Sequence, residues 1–300
     1  MKRVIQAGRP DSMPSGQRHL CGASTGKVLT VTEFVRGYAL LAILVLMAEP
    51  ALAQQFERTA AQPIRPIEGY LAGAEIEVPT YLAPPPAEGS AQDALDVATV
   101  RVLQKSTSAE RWKLAEADAR YVYPQFEEAF GGAIDRQHVP RLTHLLDEAN
   151  ADVSTPVFAA KSTFPRARPY QRWQLVRLCG VTRAPAPQPN PQERSSYPSG
   201  HAAYGWTTAL VLAQVDPQRA PQVLARGRDY GLSRVICGAH FPSDVVAGQL
   251  LASATVARLA TTRAFQLDLA CAKAEHAGAP TPADCSPLES SSPPESAGGQ

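Results

Sequence analysis

From Ser90 to Ala272 the apolar residues recur at steps of three and four, and no stretch keeps the two-residue alternation of a half-buried strand. A chain with that rhythm has one way to build a core, by packing helices on helices, so the expected fold class is all-α. Helices are predicted over residues 91–121, 123–130, 139–158, 199–214, 218–235 and 244–272. Gly131-Gly132 separates the second from the third, and residues 180–197, full of Pro, Gln and Asn, read as a loop.

The first 53 residues read as a targeting segment rather than fold. Lys27 and Arg36 precede an apolar run, residues 38–47, that is too short to span a bilayer. Ala51-Leu52-Ala53 supplies a small-x-small cleavage pattern, with the cut before Gln54. The start at Met1 or at Met13 is left open. Residues 54–88 read as an extended arm ending in the stiff Ala83-Pro84-Pro85-Pro86-Ala87 run. Residues 89–275 read as the main helical domain, and 276–300, rich in Pro, Ser and Gly, as a disordered tail. After the targeting segment no uninterrupted apolar run reaches the length of a membrane span, so the exported protein is expected to be soluble, without stable membrane insertion. A formal charge of +1, with no Lys/Arg cluster, argues against a nucleic-acid polymer as partner.

Cleavage removes Cys21 and leaves four of the five cysteines, an even number that suits an exported chain with two disulfides. Four cysteines allow three connectivities. The favoured one joins Cys179 to Cys237 and Cys271 to Cys285, the second closing a short loop that pins the C-terminal tail.

Three short clusters carry the chemistry. They are Lys161 with Arg168-Pro169, then Pro198-Ser199-Gly200-His201, then Ser233-Arg234 followed by His240 and Asp244. A phosphate monoester is a dianion whose transition state spreads charge over three oxygens. Lys161, Arg168 and Arg234 supply three cations, two of them planar forks matched to oxyanions. Pro198 suits the first position of a helix, which would leave the amides of Ser199, Gly200 and His201 pointing at an anion. Gly200 lets backbone touch phosphate, and the Ser199 hydroxyl adds a donor.

Two histidines divide the covalent steps. His240 precedes Phe241-Pro242, and Pro242 can open the next helix, so its imidazole stands at a helix mouth as nucleophile. Asp244, in the first turn, can accept the proton of the far ring nitrogen and orient the ring. His201 serves as general acid and then general base. This division needs no cofactor, and His, Asp and Glu are not clustered at metal-ligand spacing. Pro165 between Lys161 and Arg168 should end or kink a helix there. His138 and His144 read as structural or exposed, and His276 falls in the tail.

Lys161-x6-Arg168-Pro169, Ser196-Tyr197-Pro198-Ser199-Gly200-His201 and Ser233-Arg234-x5-His240-x3-Asp244 resemble the three-part signature of the type 2 phosphatidic acid phosphatase (PAP2) superfamily. Within it they are most similar to the bacterial class A non-specific acid phosphatases, as is the upstream Pro84-Pro85-Pro86-Ala87-Glu88-Gly89-Ser90. Ser195 stands where that class usually has Gly, and Ala202 where Thr is common. The resemblance implies a single-domain helical bundle of the PAP2/vanadium haloperoxidase type, export to the periplasm (or secretion), a phosphohistidine intermediate, an acidic optimum and broad action on phosphomonoesters, nucleotides included. Lys161, Arg168, Ser199, Gly200, His201 and Arg234 would be the phosphate ligands. It leaves the preferred substrate, phosphate transfer to other alcohols and a homo-oligomer open. Vanadium haloperoxidases and integral-membrane lipid phosphatases share the clusters, but the former are generally longer and the latter need several spans. A binder without catalysis would have no use for His240, Asp244 and His201 together.

Overall fold

A computed structural model describes residues 69–71, 77–173, 175, 177–179 and 195–285, all within the compact unit Pro66–Gln300. The predicted leader, most of the predicted loop and residues 286–300 lie outside the described residues. No strand occurs among the described residues. The helices are α1 (Val78–Tyr81), α2 (Ala91–Ser106), α3 (Ala109–Ala117), α4 (Glu127–Phe130), α5 (Pro140–Thr163), α6 (Pro169–Arg172), α7 (Gly200–Val215), α8 (Ala220–Ile236), α9 (Pro242–Leu259) and α10 (Arg263–His276).

α7 is the central helix, packed against α8, α9, α5 and α10. Its sequence is apolar or small nearly all round, as a helix enclosed by others must be. The larger part of the core gathers Phe126, Leu142, Leu145, Leu146, Leu212 and Phe265 between α5, α7, α8 and α10. Each of these side chains contributes about 1.5–3 kcal/mol by leaving water. At the head of α5 the Glu275 carboxylate of α10 accepts from the amides of Arg141 (3.0 Å) and Leu142 (2.9 Å), capping the long helix from outside.

Several boundaries differ from the sequence expectation. The stretch read as one helix over 91–121 breaks at Thr107, because Ser108 caps α3 by accepting from the Arg111 amide (3.2 Å). The stretch over 244–272 is two helices bent by 95°. There the hydroxyls of Thr261 and Thr262 take the carbonyls of Arg258 (2.7 Å) and Leu259 (2.9 Å), ending α9. Among the described residues no single helix is long and apolar enough to cross a membrane. The arm read as extended contains α1, a single turn with Pro near its start, which buries Val78 and, just after it, Leu82. His276 closes α10 rather than lying in a loose tail, and Cys285 is bonded to Cys271. Cys179 is bonded to Cys237, so both pairs are the favoured ones.

α5 runs through Pro156 to Thr163, five residues past its predicted end, and stops ahead of Pro165 as a proline there requires. α9 crosses close to the head of α7. Gly248 makes this approach achievable, since a Cβ there would collide with the Ser199 carbonyl. The Ser199 amide donates to the backbone carbonyl of Asp244 (2.9 Å), tying the starts of α7 and α9 together.

Candidate active site

The three sequence clusters meet where α5, α7, α8 and α9 present their ends. His240 lies just ahead of α9, buried to 3% exposure. Its Nδ1 donates to the backbone carbonyl of Ser196 at 2.7 Å, a partner that can only accept. That bond fixes the tautomer: the proton sits on Nδ1, and Nε2 keeps its lone pair. The Asp244 carboxylate is 3.7 Å from Nδ1, too far for the direct bond expected from sequence. Asp244 acts instead as a brace. One of its oxygens accepts from the Phe241 amide (2.7 Å) and the Ser196 hydroxyl, and the other from Arg166 (2.6 Å).

The cations converge on the other side of the ring. Arg168, at the start of α6, donates from Nη1 to the Ala239 carbonyl and to His240 Nε2, both at 3.0 Å. Its Nη2 approaches the Ser195 carbonyl (3.4 Å), which also accepts from Lys161 Nζ (2.7 Å). Lys161 therefore reaches the same oxygen as Arg168 although α5 ends between them. Burial, and then the charge of Arg168, pulls the Lys161 ammonium down to about 7. Arg234, in the last turn of α8, is 5% exposed, and its Nε has no hydrogen-bond partner. A buried guanidinium with an unused N–H is poised for an anion.

Ser199 is the N-cap of α7, its hydroxyl accepting from the Ala202 amide (3.3 Å). Pro198 precedes the cap instead of opening the helix, and the Ser199 amide is taken by Asp244, so of the three expected amide donors those of Gly200 and His201 head the helix. His201 stacks on Tyr230, ring centroids 6.3 Å apart. Burial, then the charges of Arg234 and Arg168, lowers its imidazole to about 3, against a backbone hydrogen bond with Ala119 that works the other way. His240 is held well below the usual range by burial and by the charges of Arg168, Lys161, Arg234 and His201. Both rings thus lie in electropositive surroundings that disfavour their protonated forms.

Buried cations on two neutral imidazoles, one with its lone pair exposed to them, suit transfer of a phosphoryl group. Comparison with known proteins agrees. Residues 149–267 match the model of the PAP2 superfamily. The acid phosphatase of Zymomonas mobilis is 35% identical over 199 residues, 65% of this chain and 74% of that protein. The non-specific acid phosphatase of Providencia stuartii is 36% identical over 204 residues, covering 65% and 79%, and that of Salmonella typhimurium 34% over 200 residues, covering 65% and 78%. The chain belongs to the PAP2 superfamily, among its bacterial class A acid phosphatases. It is a phosphoric monoester hydrolase.

Residues without a sequence-assigned role, Ser196 within a motif and others outside them, surround the catalytic groups of the phosphatase. Arg166, between Lys161 and Arg168, points away from the cations into a group of carboxylates formed by Asp93, Asp96 and Asp244. Ser196 serves through its carbonyl and hydroxyl. Asp118, fully buried, pairs with Arg226 and accepts from the Ser233 hydroxyl (2.6 Å). Ser233 of the third cluster therefore anchors α8 beside Arg234 and has no evident role toward phosphate. Sequence offered one signal, the Arg166-Ala167-Arg168 repeat. Of the other described histidines, His138 pairs with Asp135, His144 with Asp268 and Glu148, and His276 with Asp216.

Proposed function

We propose that this phosphatase is exported and hydrolyses a broad range of phosphate monoesters, nucleotides among them, through a phosphohistidine on His240. The observation that carries the reading is the 3.0 Å approach of Arg168 to the Nε2 of a histidine whose other nitrogen is committed to a carbonyl. A phosphate docked on Arg168 would take over that hydrogen bond and lie directly against the lone pair.

In the first step the Nε2 lone pair forms a bond to phosphorus while the ester P–O bond breaks, and the departing alkoxide takes a proton from His201. That proton must be acquired on binding. Burial first, and then the charges of Arg234, Arg168 and Lys161, disfavour the proton on His201; the dianion offsets those charges, so the substrate itself helps to charge its general acid. In the second step His201 takes a proton from water, hydroxyl attacks phosphorus, the P–N bond breaks and its electrons return to Nε2. Proton transfer of this kind typically contributes about 10²–10⁴-fold. Transition-state charge is met by three side-chain cations and the α7 head, so the reading gives a metal no part. Recognition concentrates on the phosphate, which supports tolerance toward the alcohol.

The test is His240→Ala together with acid- and alkali-stability analysis of rapidly quenched enzyme. The variant should lose hydrolysis and still bind inorganic phosphate, and the native protein should carry an acid-labile, alkali-stable phosphoryl group. Retained turnover in the variant would overturn the proposal.

A further inference from the structure

Arg166 faces carboxylates rather than the other cations, and its side chain is only 6% exposed. Nη1 donates to Asp244 (2.6 Å) and to the Ser243 hydroxyl (2.7 Å); Nη2 donates to Asp96 (2.9 Å) and lies 3.4 Å from Asp93. The guanidinium carbon sits 4.1 Å above the Phe241 ring. Through its backbone, Arg166 accepts from the Ser196 amide (2.8 Å) and donates to the Ser195 hydroxyl (3.2 Å). The carbonyl and the carboxylate behind His240 Nδ1 therefore both hang on this one residue.

We infer that Arg166 is a positioning residue for the nucleophile, and that by dividing its charge between Asp244 and Asp96 it sets how much carboxylate field reaches His240. The inference rests on His240 being that nucleophile. Asp96 belongs to α2 and is 1% exposed; it also accepts from the Ser243 amide (3.2 Å) and hydroxyl. Asp93 is claimed mainly by Arg172 (2.6 and 2.9 Å), which reaches Glu88 as well. Two guanidiniums thus face three buried carboxylates, and Asp244 keeps part of its negative charge. The other charged or titratable groups around His240 are Lys161 from α5, Arg168 ahead of α6, His201 from α7 and Arg234 from α8. Tyr197 faces Asp244 and Arg166, and Tyr170 faces Arg168.

A charge-dividing role predicts shifts of opposite sign. Asp96→Asn removes the competing carboxylate and turns Arg166 more fully onto Asp244. The Asp244 field at His240 weakens, the imidazole holds its proton less firmly, and the acidic limb of kcat/KM moves to lower pH. Arg166→Gln leaves Asp244 uncompensated, so the limb moves to higher pH. Each shift should be roughly half a pH unit, a fraction of the one to three units a directly paired charge produces. Arg166→Lys keeps the charge and loses the fork. Its limb should stay near that of the native enzyme while kcat falls.

The experiment measures kcat/KM against pH for native protein, Asp96→Asn, Arg166→Gln and Arg166→Lys, with phosphoenzyme quenching on the native protein and thermal melting on all. Opposite shifts support the inference. Coincident limbs, or shifts of one sign, overturn it, since a merely structural contact would lower activity without that sign change. Should Arg166→Gln fail to fold, Asp96→Asn alone decides by the direction of its limb. Failure to trap a native phosphohistidine would remove the nucleophile reading and this inference with it, an outcome read separately from the limbs.

Discussion

The proton on His240 Nδ1 is held by the backbone carbonyl of Ser196, at 2.7 Å. A carbonyl cannot titrate, and the peptide plane of this one is held from its other side, where the Tyr197 amide donates to the Ser195 hydroxyl (3.3 Å). The orientation of the nucleophile is thus set by main chain, and the neighbouring carboxylate at 3.7 Å contributes charge more than direction. In a triad where the carboxylate supplies both, its removal exchanges the tautomer as well as the charge.

Asp244→Asn should therefore be milder than the corresponding loss in a triad that relies on the carboxylate for orientation. The Ser196 carbonyl keeps the ring in place, while the imidazolium-like phosphohistidine loses its counter-charge and the brace on Arg166, Ser196 and Phe241 is weakened. The expected drop in kcat is about 10–100-fold, typical of an outer partner of a reactive histidine. Steady-state kinetics measures it. A loss of the order of 10⁴ would mean that Asp244 holds the tautomer after all.

His201 gives a pH prediction with a definite sign. Its folded-state value is lowered to about 3, whereas an unfolded histidine titrates near ~6.5. Between those values the unfolded chain binds a proton that the folded chain lacks. This residue therefore subtracts stability as pH falls through that window and subtracts nothing above it. Bound phosphate should restore the proton. Titration calorimetry at about pH 5.5, in buffers of different ionisation enthalpy, should show native protein taking up roughly one proton more than His201→Asn. Lys161, lowered only to about 7, is already charged there and does not enter the difference.

The arrangement of helices and the two histidines was legible because periodicity and motif spacing are local properties of a sequence. What was missed is non-local or belongs to the backbone. The bond that fixes His240 ends on a carbonyl, which every residue has, so Ser196 had no signal beyond its place in the motif. Arg166 is separated by 70 residues from Asp96 and by 78 from Asp244, and spacing along a chain does not report such pairs. The same holds for Asp118 and Arg226, 108 apart. The break at Thr107 was in principle readable from Ser108 as a cap, whereas the 95° bend after α9 depends on two threonines that a helix interior would also tolerate.

The two disulfides should differ in effect. Cys179–Cys237 joins residues 58 apart and Cys271–Cys285 residues 14 apart. Loop closure entropy makes the longer link worth about 1 kcal/mol more, within a typical range of about 2–4 kcal/mol each. The longer link also clamps the end of α8, where the Gly238 carbonyl accepts from the Tyr170 amide (3.2 Å) and the Ala239 carbonyl from Arg168 (3.0 Å). Replacing Cys179 and Cys237 by Ser should lower both the denaturation midpoint and kcat. Replacing Cys271 and Cys285 should lower the midpoint alone.

Gly248→Ala probes the contact between α7 and α9 on which the pocket depends. The added Cβ would strike the Ser199 carbonyl and crowd the Ala203 amide at 3.2 Å, and backbone atoms in a helix head cannot swing aside as a flexible side chain does. α9 must therefore slide outward, stretching the 2.9 Å bond from the Ser199 amide to the Asp244 carbonyl. Overpacking of this kind costs about 1–3 kcal/mol, to be read from urea unfolding. Because Ser199 and Asp244 flank the phosphate site from the two helices, kcat should fall with it. Gly132→Ala is the control: nothing lies within 4 Å of its Cβ position, and its φ is not positive, so stability should hold or rise slightly and kcat should stay unchanged. If Gly248→Ala proved as silent as the control, the two helix heads would not be the rigid pair that fixes His240 relative to His201.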